Sequence, residues 1–115
     1  MKVHSEVVNS VGLMKPGSAV ELTYYRDGKK QYEVHYDYGK KVGTETSWDP
    51  AGNRKWARDR RADGTATWTH YWPNGQKKIE SRWTGLTADG AATRWDRDGR
   101  VVAENRFDRG TLVEQ

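Results

Sequence analysis

Two arginines alternate with a tryptophan in the run Trp56-Ala57-Arg58-Asp59-Arg60-Arg61, and a second run spaces Trp68, His70 and Trp72 two residues apart. In an extended strand, residues two apart project from the same face. Arg58 and Arg60 therefore share a face with Trp56, where a guanidinium over a ring gains roughly 0.5–2 kcal/mol by cation–π contact. Trp, Tyr and Arg are also the types that concentrate binding energy at protein interfaces. The chemistry on offer is recognition, the capture of an acidic or aromatic group from a partner. Trp56, Arg58, Arg60, Arg61, Trp68, His70, Trp72 and Arg82 are the expected partner-binding residues.

Catalysis finds no comparable footing. His4, His35 and His70 lack the spacing of a metal-binding motif, no serine sits in a nucleophile elbow, and no glycine-rich loop opens a helix. Carboxylates are scattered rather than paired. Without cysteine there is neither a disulfide nor a thiolate metal site. The expectation is a non-enzyme with no metal and no cofactor.

The composition fits one small domain over residues 1–115. Hydrophobic residues make up only 34%, but six Trp and six Tyr put the apolar material into large rings. Each buried ring removes roughly 150–250 Å² from water. Twenty basic residues face sixteen acidic ones, for a net charge of +4. The two signs are interspersed without a continuous basic stripe, so nucleic acid is not the expected partner. The N-terminus reads poorly as a signal peptide, because Met1 to Gly17 holds no continuous apolar stretch. No apolar run is long enough for a membrane-spanning helix. A cytoplasmic location is the expectation.

The elements that carry these residues are set by a repeat. Gly28, Gly52, Gly75 and Gly99 recur every 23 or 24 residues. Four residues before each stands Tyr24, Trp48, Tyr71 or Trp95; four after stands Tyr32, Trp56, Ile79 or Ala103. A longer echo at 47 maps Gly17 to Gly64, Tyr36 to Trp83 and Gly43 to Gly90. The turn segments 25–29, 49–53, 72–76 and 96–100 carry Asx- or Ala-Gly pairs at their third and fourth positions. They suit a type I turn closed by a left-handed glycine in a G1 bulge. The flanking strands are then antiparallel, and the fold class is an all-β meander of tandem hairpins in an elongated, curved sheet. Strands are predicted over 18–25, 29–37, 44–48, 54–61, 65–72, 76–84, 91–95 and 100–107. Connections around Gly39 and Gly43, Gly64, Gly85 and Gly90, and Gly110 read as turns of more variable length. Residues 1–15 suit an edge strand or a cap built on Val7, Val8, Val11, Leu13 and Met14, and 111–115 a short last strand. The even offsets predict one aromatic face holding Tyr24, Tyr32, Val34, Tyr36, Trp48, Trp56, Tyr71, Ile79, Trp83, Trp95 and Phe107. Glu33, His35, Lys55, Asp59, Lys78, Glu80, Arg82, Glu104 and Arg106 fall on a charged face, joined there by Trp68, His70 and Trp72.

The recurring string aromatic-x-x-x-Gly-x-x-x-aromatic resembles the MORN-repeat variant, which in bacteria typifies YwqK-type proteins described as antitoxins. Residues 28–48 and 75–95 carry the resemblance most fully, and it extends over 17–110. The second unit departs from the pattern, with Arg58 and Arg60 at apolar positions and a connection shortened at 60–64. The resemblance implies an antitoxin or immunity protein that binds a cognate toxin domain and blocks its active site. Since the chain is basic, charge complementarity suggests a toxin acidic around that site. MORN-type repeats also serve as structural or lipid-contacting adaptors, and interleaved cations and rings can bind single-stranded nucleic acid.

Overall fold

The computed structural model describes residues 3–9 and 16–114, and of 3–9 and 114 the backbone alone. Ten strands follow one another in a single antiparallel sheet whose spatial order is the chain order. They are β1 (Val3–Asn9), β2 (Ser18–Tyr25), β3 (Lys30–Asp37), β4 (Lys40–Trp48), β5 (Arg54–Arg60), β6 (Thr65–Tyr71), β7 (Lys77–Thr84), β8 (Thr87–Trp95), β9 (Val101–Asp108) and β10 (Thr111–Glu114). The all-β meander is the fold the repeat predicts. The N-terminal segment adds an edge strand on β2; Val11, Leu13 and Met14 lie outside the described residues. The described residues form no helix, so none is long and apolar enough to cross a membrane.

Among the described residues, no second layer covers the sheet. Nine gaps of about 4.8 Å between strands give about 43 Å, close to the longest dimension of 47 Å. The accessible surface is 7976 Å², against about 6,400 Å² for a compact monomer of this mass. The buried apolar residues are few among those described: Tyr25, Val34, Ala57 and Ala66. Burial is therefore lateral, between neighbouring side chains on one sheet face.

The turns fall into two kinds. At 25–29, 49–53, 61–65, 72–76 and 96–100 the same two backbone bonds close the loop: Tyr25 N donates to Lys29 O at 2.8 Å and Gly28 N to Tyr25 O at 2.9 Å in the first. Asx side chains tie these loops, as Asp27 does by accepting from Lys29 N at 3.0 Å and Asn74 from Gln76 N at 2.9 Å. The 61–65 turn, where the sequence departs from its repeat, has the same bonds as the others. Its flanking pair β5–β6 keeps an unbroken register from Trp56–His70 to Arg60–Ala66. The second kind is tighter than expected. Tyr38-Gly39, Gly85-Leu86 and Arg109-Gly110 each join strands directly, so β4 begins at Lys40 and β8 at Thr87. Gly43 and Gly90 lie within strands rather than turns. They sit where β4 and β8 bulge against Val34 and Arg82, between the pairs Glu33–Thr46 and His35–Val42 in one case and Ser81–Ala92 and Trp83–Ala88 in the other.

A further irregularity corrects the predicted faces. Thr23 pairs with Tyr32 but Tyr24 with Lys30, leaving Gln31 as an extra residue. Lys55, Lys78 and Val102 are extra in the same way in β4–β5, β6–β7 and β8–β9. One inserted residue exchanges the faces of everything beyond it. Tyr24, Trp48, Tyr71 and Trp95 therefore leave the predicted aromatic face and lie on the opposite one. Once Tyr71 has moved, alternation along β6 puts Trp68 and His70 on the face of Trp56, where Trp68 pairs with Arg58 and His70 with Trp56.

A turn glycine with open space around it isolates the cost of its backbone angle. Gly52 has φ 95°, and a Cβ there would meet nothing within 4 Å. Gly52→Ala is expected to lower stability by about 1–2 kcal/mol. Gly52→Asn should cost less, because Asn tolerates that region; urea unfolding midpoints of the two variants check the order.

Candidate functional site

The pairings Trp56–His70, Arg58–Trp68 and Ala66–Trp83 gather one cluster on a single face, referred to below as the tryptophan face. Tyr32, Trp56, Trp68 and Trp83 form a chain of rings across β3, β5, β6 and β7, with successive centroids 6.3, 5.9 and 6.1 Å apart. The His70 ring lies 5.0 Å from Trp68. The Arg58 guanidinium sits 5.2 Å from Trp68 and 6.0 Å from Trp83, and Nη2 reaches Gly85 O at 3.4 Å. Burial, with Lys78 nearby, pushes the His70 imidazole below its ordinary value, so the ring is neutral at pH 7.

Beside the rings lies a buried carboxylate. Glu45 is 4% exposed. It accepts a hydrogen bond from the Tyr32 hydroxyl and another from Lys41 Nζ at 3.2 Å. Arg60 Nη1 stands 2.7 Å from its other oxygen, but without hydrogen-bond alignment. Burial alone would raise the Glu45 carboxyl; Tyr32, Arg60 and Lys41 outweigh it and hold the group below the usual carboxylate range. Burial and the neighbouring Glu45 push the Tyr32 phenol far up, so it stays a donor.

The opposite face carries a ladder. Tyr24, Trp48, Tyr71 and Trp95 pair across strands with Lys30, Arg54, Lys77 and Val101. Each cation also reaches the next ring: Lys30 to Trp48 at 5.9 Å, Arg54 to Tyr71 at 4.3 Å and Lys77 to Trp95 at 5.8 Å. Aromatic and cation alternate from β2 to β8. Glu33 and Glu80 steady two of the cations, at 2.6 Å from Lys30 and 2.8 Å from Lys77. Lys30 holds the Glu33 carboxyl below its usual range, against burial and with help from His35. Arg54 has Ala57 at the corresponding place, so its ring contact stands without a carboxylate among the described residues.

Trp56, Arg58, Arg60, Trp68 and His70 are thus brought together. Arg61 stands at the β5–β6 turn, its Nε donating to Thr65 Oγ1 at 2.8 Å and Nη2 to Thr67 Oγ1 at 3.1 Å. Trp72 is at the other end of β6. Its ring has Lys78 at 4.7 Å and Arg97 at 5.1 Å, and Nε1 donates to Trp95 O at 3.2 Å. Tyr25 makes the equivalent bond to Trp48 O at 2.9 Å, so Trp72 repeats a structural tie. Arg82 lies on the ladder face and lines a cleft with Arg61, Asp63 and Arg106. Tyr32, Lys41 and Glu45, and the ladder cations Lys30, Arg54 and Lys77, were not expected. The ladder cations were legible: they stand two residues after Gly28, Gly52 and Gly75. Glu45 carries no such mark.

An open, single-layer meander of hairpin repeats with one aromatic array on each face defines the class. Within it, residues 19–38 and 65–83 match the MORN repeat variant family, so the chain carries MORN-type repeats over about a third of its length. The matched segments are the hairpins β2–β3 and β6–β7, equivalent members of the 47-residue double unit. Comparison with curated proteins and with solved structures found no significant match in either set.

Removing the Glu45 charge leaves Arg60 and Lys41 without a counter-ion and Tyr32 without its acceptor. Glu45→Gln is expected to cost about 2–3 kcal/mol at pH 7. A depressed carboxyl stabilises the fold above its unfolded value, near 4.3, and that contribution is lost as pH falls through the folded value. The gap between wild type and variant should therefore narrow towards pH 3, as measured by urea unfolding at both pH values.

Proposed function

We propose that the chain is a non-catalytic binding module that recognises a partner protein with the tryptophan face. MORN-type repeats fit a structural or binding adaptor. The observation that carries the reading is the stack of Arg58 against Trp68 and Trp83 on a sheet that no other described residues cover. These rings are half-buried by their neighbours and still open to solvent on their outer side. Large rings pre-positioned on a rigid strand lose little freedom on docking. The more specific reading is an antitoxin or immunity protein whose partner is a toxin domain, acidic around its active site, that the sheet covers. The basic character of the face supports the charge part of that reading.

Binding of single-stranded nucleic acid has less support, since the ladder rings are engaged by the protein's own cations and offer bases little free face. A lipid-contacting adaptor would use the exposed Lys30, Arg54 and Lys77, two of which already hold carboxylates.

Co-expression with the product of a neighbouring gene, followed by pull-down and a toxicity-rescue assay, tests the proposal. Trp68→Ala is expected to weaken the complex by about 2 kcal/mol or more, roughly thirty-fold. Trp95→Phe, on the other face, should leave affinity unchanged. A complex equally tolerant of both, or no complex and no rescue, would sink it.

A further inference from the structure

The start of β4 and the turns at 61–65 and 85–86 border a cleft of about 400 Å³ beside the tryptophan cluster. Lys40, Lys41, Arg58, Arg60 and Arg61 line it, and no carboxylate does. Among the described residues, the only carboxylate paired with any of these five is Glu45, which serves Lys41 and Arg60 together. Glu45 thus answers Lys41 and Arg60, and Asp63 is near enough to Arg61 to feel its charge, which leaves the cleft with an excess of positive charge. Two donors in this set, Arg58 Nε and Arg60 Nη1, are buried from solvent without a hydrogen-bond partner. A buried guanidinium N–H without an acceptor is costly; Arg60 Nη1 has Glu45 Oε1 2.7 Å away, whereas Arg58 Nε has no acceptor and marks a place where one is missing.

We propose that this cleft binds the phosphate group of a soluble phosphate monoester. The charge balance favours phosphate over carboxylate. A monoester carries about −1.5 to −2 at pH 7 and offers three acceptor oxygens, where a carboxylate brings a single charge. Arg58 and Arg60 are two residues apart on β5, about 6.8 Å along the strand. That distance lets neighbouring oxygens of one phosphate meet both guanidinium groups, the geometry in which arginine holds phosphate well. The organic part has a place too: Val42 and Leu86 line the cleft, and Leu86 is 91% exposed. An ester with an apolar body therefore fits better than inorganic phosphate. The site shares Arg58 with the partner-protein reading but does not rest on it, because a small phosphate ester can fill the cleft without a protein covering the rings.

Titration of the full chain with phenyl phosphate, benzoate and inorganic phosphate, in buffer with about 0.15 M salt to screen unspecific attraction, tests the site. The readout is the arginine Nε–H region of the nitrogen–proton NMR spectrum. Phenyl phosphate is expected to shift the Arg58 Nε–H saturably and to bind about ten-fold more tightly than benzoate. Arg58→Lys keeps the charge but removes the orphan donor, and Arg60→Gln removes a second guanidinium of the cleft; each should weaken binding about ten-fold or more. Arg106→Gln, outside the cleft, should not. Circular dichroism of each variant confirms that the sheet persists, and Arg58→Lys keeps the test decisive if Arg60→Gln fails to fold. No saturable shift, equal response to benzoate, insensitivity to Arg58→Lys, or binding seen with anionic vesicles but with no soluble phosphate would overturn the proposal.

Discussion

A sheet with two wet faces has to find its stabilisation sideways. Each side chain can be covered only by residues beside it on its own strand or across on the next one. With four apolar residues buried among those described, methyl-group burial alone is a small resource, at roughly 1.5–3 kcal/mol for each large side chain. Long amphipathic side chains suit this geometry, because their bodies cover neighbours while their charged ends stay in water. The Lys30–Trp48, Arg54–Tyr71 and Lys77–Trp95 contacts on one face, and the Arg58 stack on the other, are the same solution used twice. A chain with low hydrophobic content can hold ten strands in this way because its apolar surface is concentrated in rings and its cations are placed to cover them.

Two kinds of residue divide the work along each hairpin. Turn glycines set where strands begin, and the extra residue soon after each of four such turns sets which face a side chain takes. The periodicity of Gly28, Gly52, Gly75 and Gly99 makes the strands legible, and most predicted boundaries agree with the structure to within one residue. The exceptions are β4 and β8, which begin four residues earlier than predicted. There a glycine marks a bulge inside a strand, and in sequence a bulge glycine and a turn glycine look alike. Face assignment suffered from a deeper ambiguity. Tyr24 and Tyr32 are separated by an even number, but the path between them contains both a turn and the extra Gln31. Period-two counting holds within a strand and carries no information across such a path.

The candidate site shows the same limit. Trp56, Arg58 and Arg60 lie on one uninterrupted strand, so their shared face was readable from spacing. Trp68 and His70 were placed wrongly because their position was counted from Tyr71, which belongs to the other face. Glu45 was invisible for another reason. It is one acidic residue among many, and only the convergence of Tyr32 from β3, Lys41 from its own strand and Arg60 from β5 distinguishes it. Convergence across strands depends on register, and register depends on the bulges.

The strand order has a mechanical consequence. Each strand packs against its sequence neighbours, so β1 and β10 stand at opposite ends of the sheet. Force applied to the two ends of the chain would act across the strands rather than along them. It would load the backbone bonds of one edge pair at a time, and the sheet would peel hairpin by hairpin instead of resisting as a unit. Such a protein is soft to tension at its termini. Because pairing partners are close in the chain, with Val3 reaching no further than Tyr25, each peeled hairpin can close again without waiting for a distant segment.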